Sequence, residues 1–301
     1  MTTHHLVRRA AEAVWSPVAG PLSGAKGLQA WSVVDASTAA VHTGFAVGRL
    51  NPGGSMATHV HSYEESLYVL EGEVVVQTPG EAVLLRPGDY GWIPIGVPHL
   101  LRNVGDLETR WARMSAPTPR VSHSLDTYVV PELPPAEPAP PDVRDPRTRR
   151  YGHIDRENMD PALQTQERLA VSASMRTALL VYSGITVKMM IDSDLGAVLS
   201  TMFMVQYEPH GVIGGHDHPF EETYLILDGS VEATFDGTSY VLTPGDVAWA
   251  GVGSVHSFRP AGDGPVRWLE TQAPQPPGRH SYRFARDWDY LLQRLQAGGS
   301  S

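Results

Sequence analysis

Eight residues carry the chemistry most readily read from this chain: His59, His61, Glu65 and His99, and again His216, His218, Glu222 and His256. Subtracting 59 from 216, 61 from 218, 65 from 222 and 99 from 256 gives 157 each time, so the second set repeats the first without insertion or deletion. Three imidazole nitrogens and one carboxylate suit a divalent first-row metal and leave about two of six octahedral positions for water or substrate. Open positions of that kind mark catalytic rather than structural metal sites. The expected cofactor is therefore a divalent transition metal, up to two ions per chain, with Mn2+ or Fe2+ fitting best and Ni2+ also compatible.

Strands are the elements that must position these side chains. Residues two apart in a strand point to one face, which sends His59 and His61 toward a common point, and His216 and His218 likewise. Glu65 follows after a short bend, and His99 arrives from a later strand. Stretches such as 65–70 (ESLYVL), 73–77 (EVVVQ), 223–227 (TYLIL) and 231–235 (VEATF) alternate with Gly, Pro and Asp, the rhythm of an antiparallel sandwich or barrel.

The repeat extends beyond the ligands. Pro87, Gly88, Asp89 and Trp92 recur as Pro244, Gly245, Asp246 and Trp249, and Arg110, Trp111 and Pro117 recur as Arg267, Trp268 and Pro274. This predicts one domain over 1–130, a proline-rich linker over 131–150 and a second domain over 151–301. Within the last, 284–296 (FARDWDYLLQRLQ) has apolar residues at helical spacing and predicts a short C-terminal helix.

Composition narrows the function. A chain of 301 residues with 42% hydrophobic residues can bury two cores. Its formal net charge of −10 argues against a nucleic-acid partner. There is no cysteine, so neither disulfides nor thiolate ligands enter. The opening MTTHHLVRRAAEAVW is too polar for a signal peptide and no long apolar run follows, so a cytoplasmic protein without membrane contact is expected. The expected partner is a small-molecule substrate. Exposed barrel edges make a homodimer the expected assembly.

The run Gly53-x5-His59-x-His61-x3-Glu65-x6-Gly72, followed by Gly88-x5-Pro94-x-Gly96-x2-His99-x3-Asn103, resembles the two signature motifs of the cupin superfamily at every position. The second half resembles them with three departures: His210 stands at the first glycine, Gly251 replaces the proline and Pro260 replaces the asparagine. None of these is a ligand. The resemblance implies an all-β fold of two tandem jelly-roll β-barrels, a bicupin. The ligand set is similar to that of bicupin dioxygenases of the quercetinase group, which implies a metal-dependent dioxygenase acting on a small organic substrate. A more distant similarity to ureidoglycine aminohydrolases implies the alternative, a non-oxidative hydrolase, isomerase or decarboxylase. The arginine that oxalate decarboxylases place before the first ligand pair is absent here between 53 and 59 and between 210 and 216. A metal-anchored binding module is the remaining class, because fold alone does not decide chemistry.

Strand alternation separates the two pockets. Leu67 and Val69 share the face of Glu65, whereas Tyr224 and Ile226 share that of Glu222; Arg113 and Ser115 in the first half stand against Glu270 and Gln272 in the second. Leu101 follows His99, and Phe258 follows His256. Catalysis is accordingly expected in the second pocket, with Glu222 or Tyr224 moving a proton. Glu64 and Glu221 are expected to turn away from the metal toward solvent or a turn, His210 to be a loop residue, and Trp92, Trp111, Trp249 and Trp268 to be core.

Overall fold

A computed structural model describes residues 4–142, 145, 148–163, 177–180, 184–275 and 283–284. The described chain is almost entirely antiparallel sheet, arranged as two jelly-roll barrels in tandem. In the first, the main sheet runs Asp89–Ile93, Glu64–Glu71, Thr109–Ala116, Gly44–Ser55, and Lys26–Val34 also pairs with Gly44–Ser55. Gly44–Ser55 is long enough to serve both walls: its first part pairs with Thr109–Ala116, while Ser55 meets Arg102 on the opposite wall. The second barrel repeats the plan, with Val247–Ala250, Glu221–Asp228, Val266–Ala273 and Thr201–Tyr207 in one sheet. Val231–Phe235, His256–Pro260 and Ile213–Asp217 form its opposite wall.

Turn geometry follows the repeat. Gly72 and Gly229 have φ of +70° and +71°, where a side chain is strained. A Cβ at either would lie 2.5 Å from a backbone oxygen, of Glu108 or of Pro265, so glycine is required twice for the same reason.

The barrels exchange strands. His5–Arg8 pairs with Val247–Ala250 of the second barrel, and Tyr151–His153 pairs with Asp89–Ile93 of the first. The expected boundaries of 130 and 151 therefore do not follow the sheets, because each barrel takes the strand that precedes the other in sequence. The proline-rich segment is extended but docked. Ala139 donates to Ala82 O and accepts from Leu84 N, covering the edge strand Glu81–Leu85. Of the expected terminal helix, Phe284 lies in a short strand beside His216, and 285–296 fall outside the described residues. Among the described residues no helix is long and apolar enough to cross a membrane.

All four repeated tryptophans are buried, but in two different ways. Trp111 and Trp268 fill the interiors of the first and second barrel. Trp92 and Trp249 belong to a third cluster, with Trp31, Met202 and Leu269, that joins the two halves into one apolar seam. Glu64 and Glu221 clamp this seam reciprocally. Glu64 accepts backbone N–H bonds from Val198, Leu199 and Ser200, and Glu221 accepts them from Val41, His42 and Thr43. Both turn away from the histidines as alternation requires, yet they are buried rather than solvated, because the other barrel supplies their donors.

Candidate metal centres

In the first barrel, His59 and His61 alternate along His59–His61 and face inward together. His99 is paired with His59 by two backbone bonds of 2.9 Å, which brings in the third ring. One ring nitrogen from each of the three lies within 4.8 Å of the others. The remaining nitrogens are tethered: Nδ1 of His59, His61 and His99 faces the carbonyl of Ala57, Tyr63 and Val97 at 2.8–2.9 Å. Donation from Nδ1 leaves each Nε2 as a lone pair aimed inward, the arrangement metal-binding histidines use. The Nε2 atoms of His61 and His99 are buried without a hydrogen-bond partner, a cost that a bound cation would remove. The residues therefore fit a metal ion.

Burial lowers His59, His61 and His99 to about 4, so the rings are neutral at pH 7. Glu65 stands beside this trio rather than within it, its Oε2 3.6 Å from His61 Nε2 and 3.3 Å from Arg113 Nε. Burial alone would raise its pKa, but Arg113 and the imidazoles hold it below the ordinary range. Tyr63 stacks on His61 at 4.0 Å and accepts a hydrogen bond from Arg113.

In the second barrel His216, His218 and His256 converge in the same way. Nδ1 of His216 and His256 faces the carbonyls of Gly214 and Ser254, and Phe220 stacks on His218 as Tyr63 does on His61. His210 is exposed and lies outside this group. Glu222 is drawn closer than its counterpart, 3.5 Å from His218 Nε2 and 3.2 Å from His256 Nε2. Its carboxylate also accepts from the Tyr224 hydroxyl at 2.5 Å and the Gln272 amide at 2.6 Å. Tyr224 Oη is in turn 3.1 Å from His256 Nε2. Sequence alternation thus identified the phenol and the amide.

The group beside each of the two glutamates differs. Where Arg113 meets Glu65, the second barrel has Glu270, held by Trp268 Nε1 at 2.9 Å. Burial and the neighbouring Glu222 push Glu270 well above the ordinary range, so it stays protonated. For Glu222, burial opposes ionisation but the His218 and His256 rings prevail and lower it. Burial and Glu222 together raise Tyr224, which keeps its proton.

Space is also unequal. A cavity of about 410 Å³ lies on the interior face of the first barrel, walled by the small residues Ala30, Ser32, Gly44, Ala46 and Ser115, with Arg113 among them. The repeat places Val187, Met189, Thr201, Phe203 and Gln272 at the wall positions in the second barrel, where Phe203 and Gln272 are buried. Strand alternation places Arg113 on this face but assigns it no role.

The depressed histidines make the metal-free protein acid-sensitive. Between about 4 in the folded state for His59, His61, His99 and His216 and 6.5 for the free side chain, the unfolded chain binds protons that the folded chain refuses. Their stabilising contribution is complete above 6.5 and is lost as pH falls toward 4. Denaturant midpoints of chelator-treated protein should fall steadily from about pH 7 to about pH 4, and a flat profile would refute the burial of neutral rings.

Comparison with known proteins agrees with this geometry. The family model described as Cupin domain matches residues 46–115 and 203–271. Polyketide synthase CurC of Streptomyces cyaneus is 42% identical over 82 residues, covering 26% of this chain and 53% of that protein. Quercetin 2,3-dioxygenase of Bacillus subtilis (strain 168) is 27% identical over 234 residues, covering 69% of this chain and 66% of that protein. The chain thus spans about half to two thirds of the length of these relatives. Among solved structures, the formate complex of Lactobacillus farciminis oxalate decarboxylase superposes with a TM-score of 0.64 at 16% identity, covering 97% of this chain and 92% of that one. At that identity the likeness speaks for the fold alone.

Proposed function

The chain belongs to the cupin family, as a bicupin with one domain in each half, and from that premise we propose that it is a metal-dependent dioxygenase whose reaction centre is the first histidine trio. One observation carries the choice of centre: two buried Nε2 atoms without partners, beside a barrel interior that has room for a substrate. His59, His61 and His99 would hold the ion, with Glu65 alongside. A divalent first-row ion, Mn2+ or Fe2+, supplies Lewis acidity and access to redox chemistry when bound.

The chain's own residues do the rest. Glu65, kept ionised by Arg113, accepts a proton from a substrate hydroxyl. Tyr63 packs against His61 and fixes its ring plane. The likeness to quercetin 2,3-dioxygenase runs through both halves and supports the oxidative reading over a decarboxylase; the name of CurC supports an oxygen-rich, polyketide-like substrate. His216, His218 and His256 with Glu222 would form a second ion site, closed by Tyr224 and Gln272. The bond from Tyr224 to Glu222 favours a second reading, in which these two residues move the proton and the reaction sits in the second barrel.

Oxygen uptake by manganese- or iron-loaded protein tests the reaction, using a flavonol, a polyketide phenol and oxalate as substrates. Uptake with either phenolic substrate supports the dioxygenase. Carbon dioxide release from oxalate without net uptake would replace it with a decarboxylase.

A further inference from the structure

The first barrel holds a cation that its fold leaves largely unsatisfied. The Arg113 guanidinium has five N–H donors in a planar fork. Its Nε lies 3.3 Å from Glu65, and one terminal nitrogen donates to Tyr63 Oη at 3.3 Å; among the described residues no other acceptor meets it. A quarter of the side chain, 23%, is accessible, and Arg113 lines the cavity of about 410 Å³. That volume is of the size used to enclose drug-sized ligands.

The rest of the wall does not compete for the charge. Asp35 is the one carboxylate lining this cavity, and it is already engaged by Ser32 Oγ and by the amide and hydroxyl of Ser37. The rim is apolar, formed by Pro17 and Val18 on one side and Val121 and Leu125 on the other. A cavity lined by a guanidinium with donors beyond those that meet Glu65 and Tyr63, by hydroxyls and by an apolar rim selects an organic anion whose body is hydrophobic. The second barrel provides the contrast. At the matching positions the protonated Glu270 offers an anion no positive charge, and Phe203 takes the space that Ala46 leaves open.

We propose that Arg113 is the substrate-docking residue, pairing with an anionic oxygen, carboxylate or ionised phenol, of a molecule whose ring body of two or three rings lies along Ala30, Ala46 and the apolar rim. The proposal rests on the reading of the first centre as the reaction centre. It explains why both halves keep their histidines but only the first sets a positive charge next to the glutamate.

Calorimetric titration of the metal-loaded full chain tests it, with 2-naphthoate, its neutral isostere naphthalene-2-carboxamide, and 4-nitrophenolate as probes. The naphthoate should bind at least about tenfold tighter than the carboxamide, the difference one charge-assisted bond makes. Arg113→Gln should erase that preference, Arg113→Lys should retain part of it, and Ala46→Phe should exclude all three probes. Tighter 4-nitrophenolate identifies an ionised phenol and tighter naphthoate a carboxylate; either upholds the site. Equal affinity of wild-type protein for the naphthoate and its amide, no binding of any probe, or an undiminished preference in Arg113→Gln overturns it. Metal analysis of the same samples separates the two levels: an ion retained at the first centre without Arg113-dependent binding overturns the docking role alone, whereas a first centre that takes no ion overturns the reading beneath it.

Discussion

Replacing His61 by alanine is expected to remove one ion and reduce turnover by at least about a thousandfold, since loss of groups that merely orient ligands already costs about 10- to 100-fold. The ring contributes an inward Nε2, a tether from Nδ1 to Tyr63 O and a stacking face for Tyr63, and alanine supplies none of these. His218→Ala should also remove one ion, yet leave turnover within about tenfold and appear mainly as lost stability, the signature of a structural metal site. Metal content and oxygen uptake measured on both variants decide the matter. Turnover lost in His218→Ala and kept in His61→Ala would transfer the reaction to Glu222 and Tyr224.

Glu64→Ala and Glu221→Ala should each destabilise the protein by about 3–5 kcal/mol, because each truncation abandons three backbone N–H groups in a buried seam. In a protein of this size that corresponds to a fall in Tm of about 10 °C. Glu64→Gln keeps an acceptor oxygen and should lose less. Calorimetric melting of the three variants, with metal content as a control, provides the check. A change of less than about 1 kcal/mol in Glu64→Ala would show that the barrels are held by the Trp92 and Trp249 cluster alone.

Both expectations reach beyond what the chain discloses by order of residues. The glutamates next to the ligands illustrate the limit: alternation correctly sent Glu64 and Glu221 away from the histidines, but nothing local announces that loops at 198–200 and 41–43 wait to receive them. A carboxylate in a strand is ordinarily solvated, and only packing of one barrel on the other reverses that. The strand exchange was hidden for the same reason. His5–Arg8 and Tyr151–His153 are short, and each pairs with a sheet far along the chain, so their local patterns do not name their partners. The role of Arg113 required knowing which side chains surround it, since the same alternation that placed it inside also placed Ser115 there without consequence.

The amino-acid sequence by itself determined the fold family, the duplication and the convergence of His59, His61 and His99 and of His216, His218 and His256, because strand periodicity and a constant offset of 157 impose those relations locally and twice. Strand alternation also set Arg113 against Glu270 and put Tyr224 and Gln272 near Glu222; tertiary structure alone decided how these groups meet and how much space they leave. One centre is bordered by a guanidinium and open space; the other is closed by a phenol, an amide and a protonated acid. That difference arises from which side chains of four or five separate strands meet inside each barrel, and the volume left between them depends on all of these side chains at once.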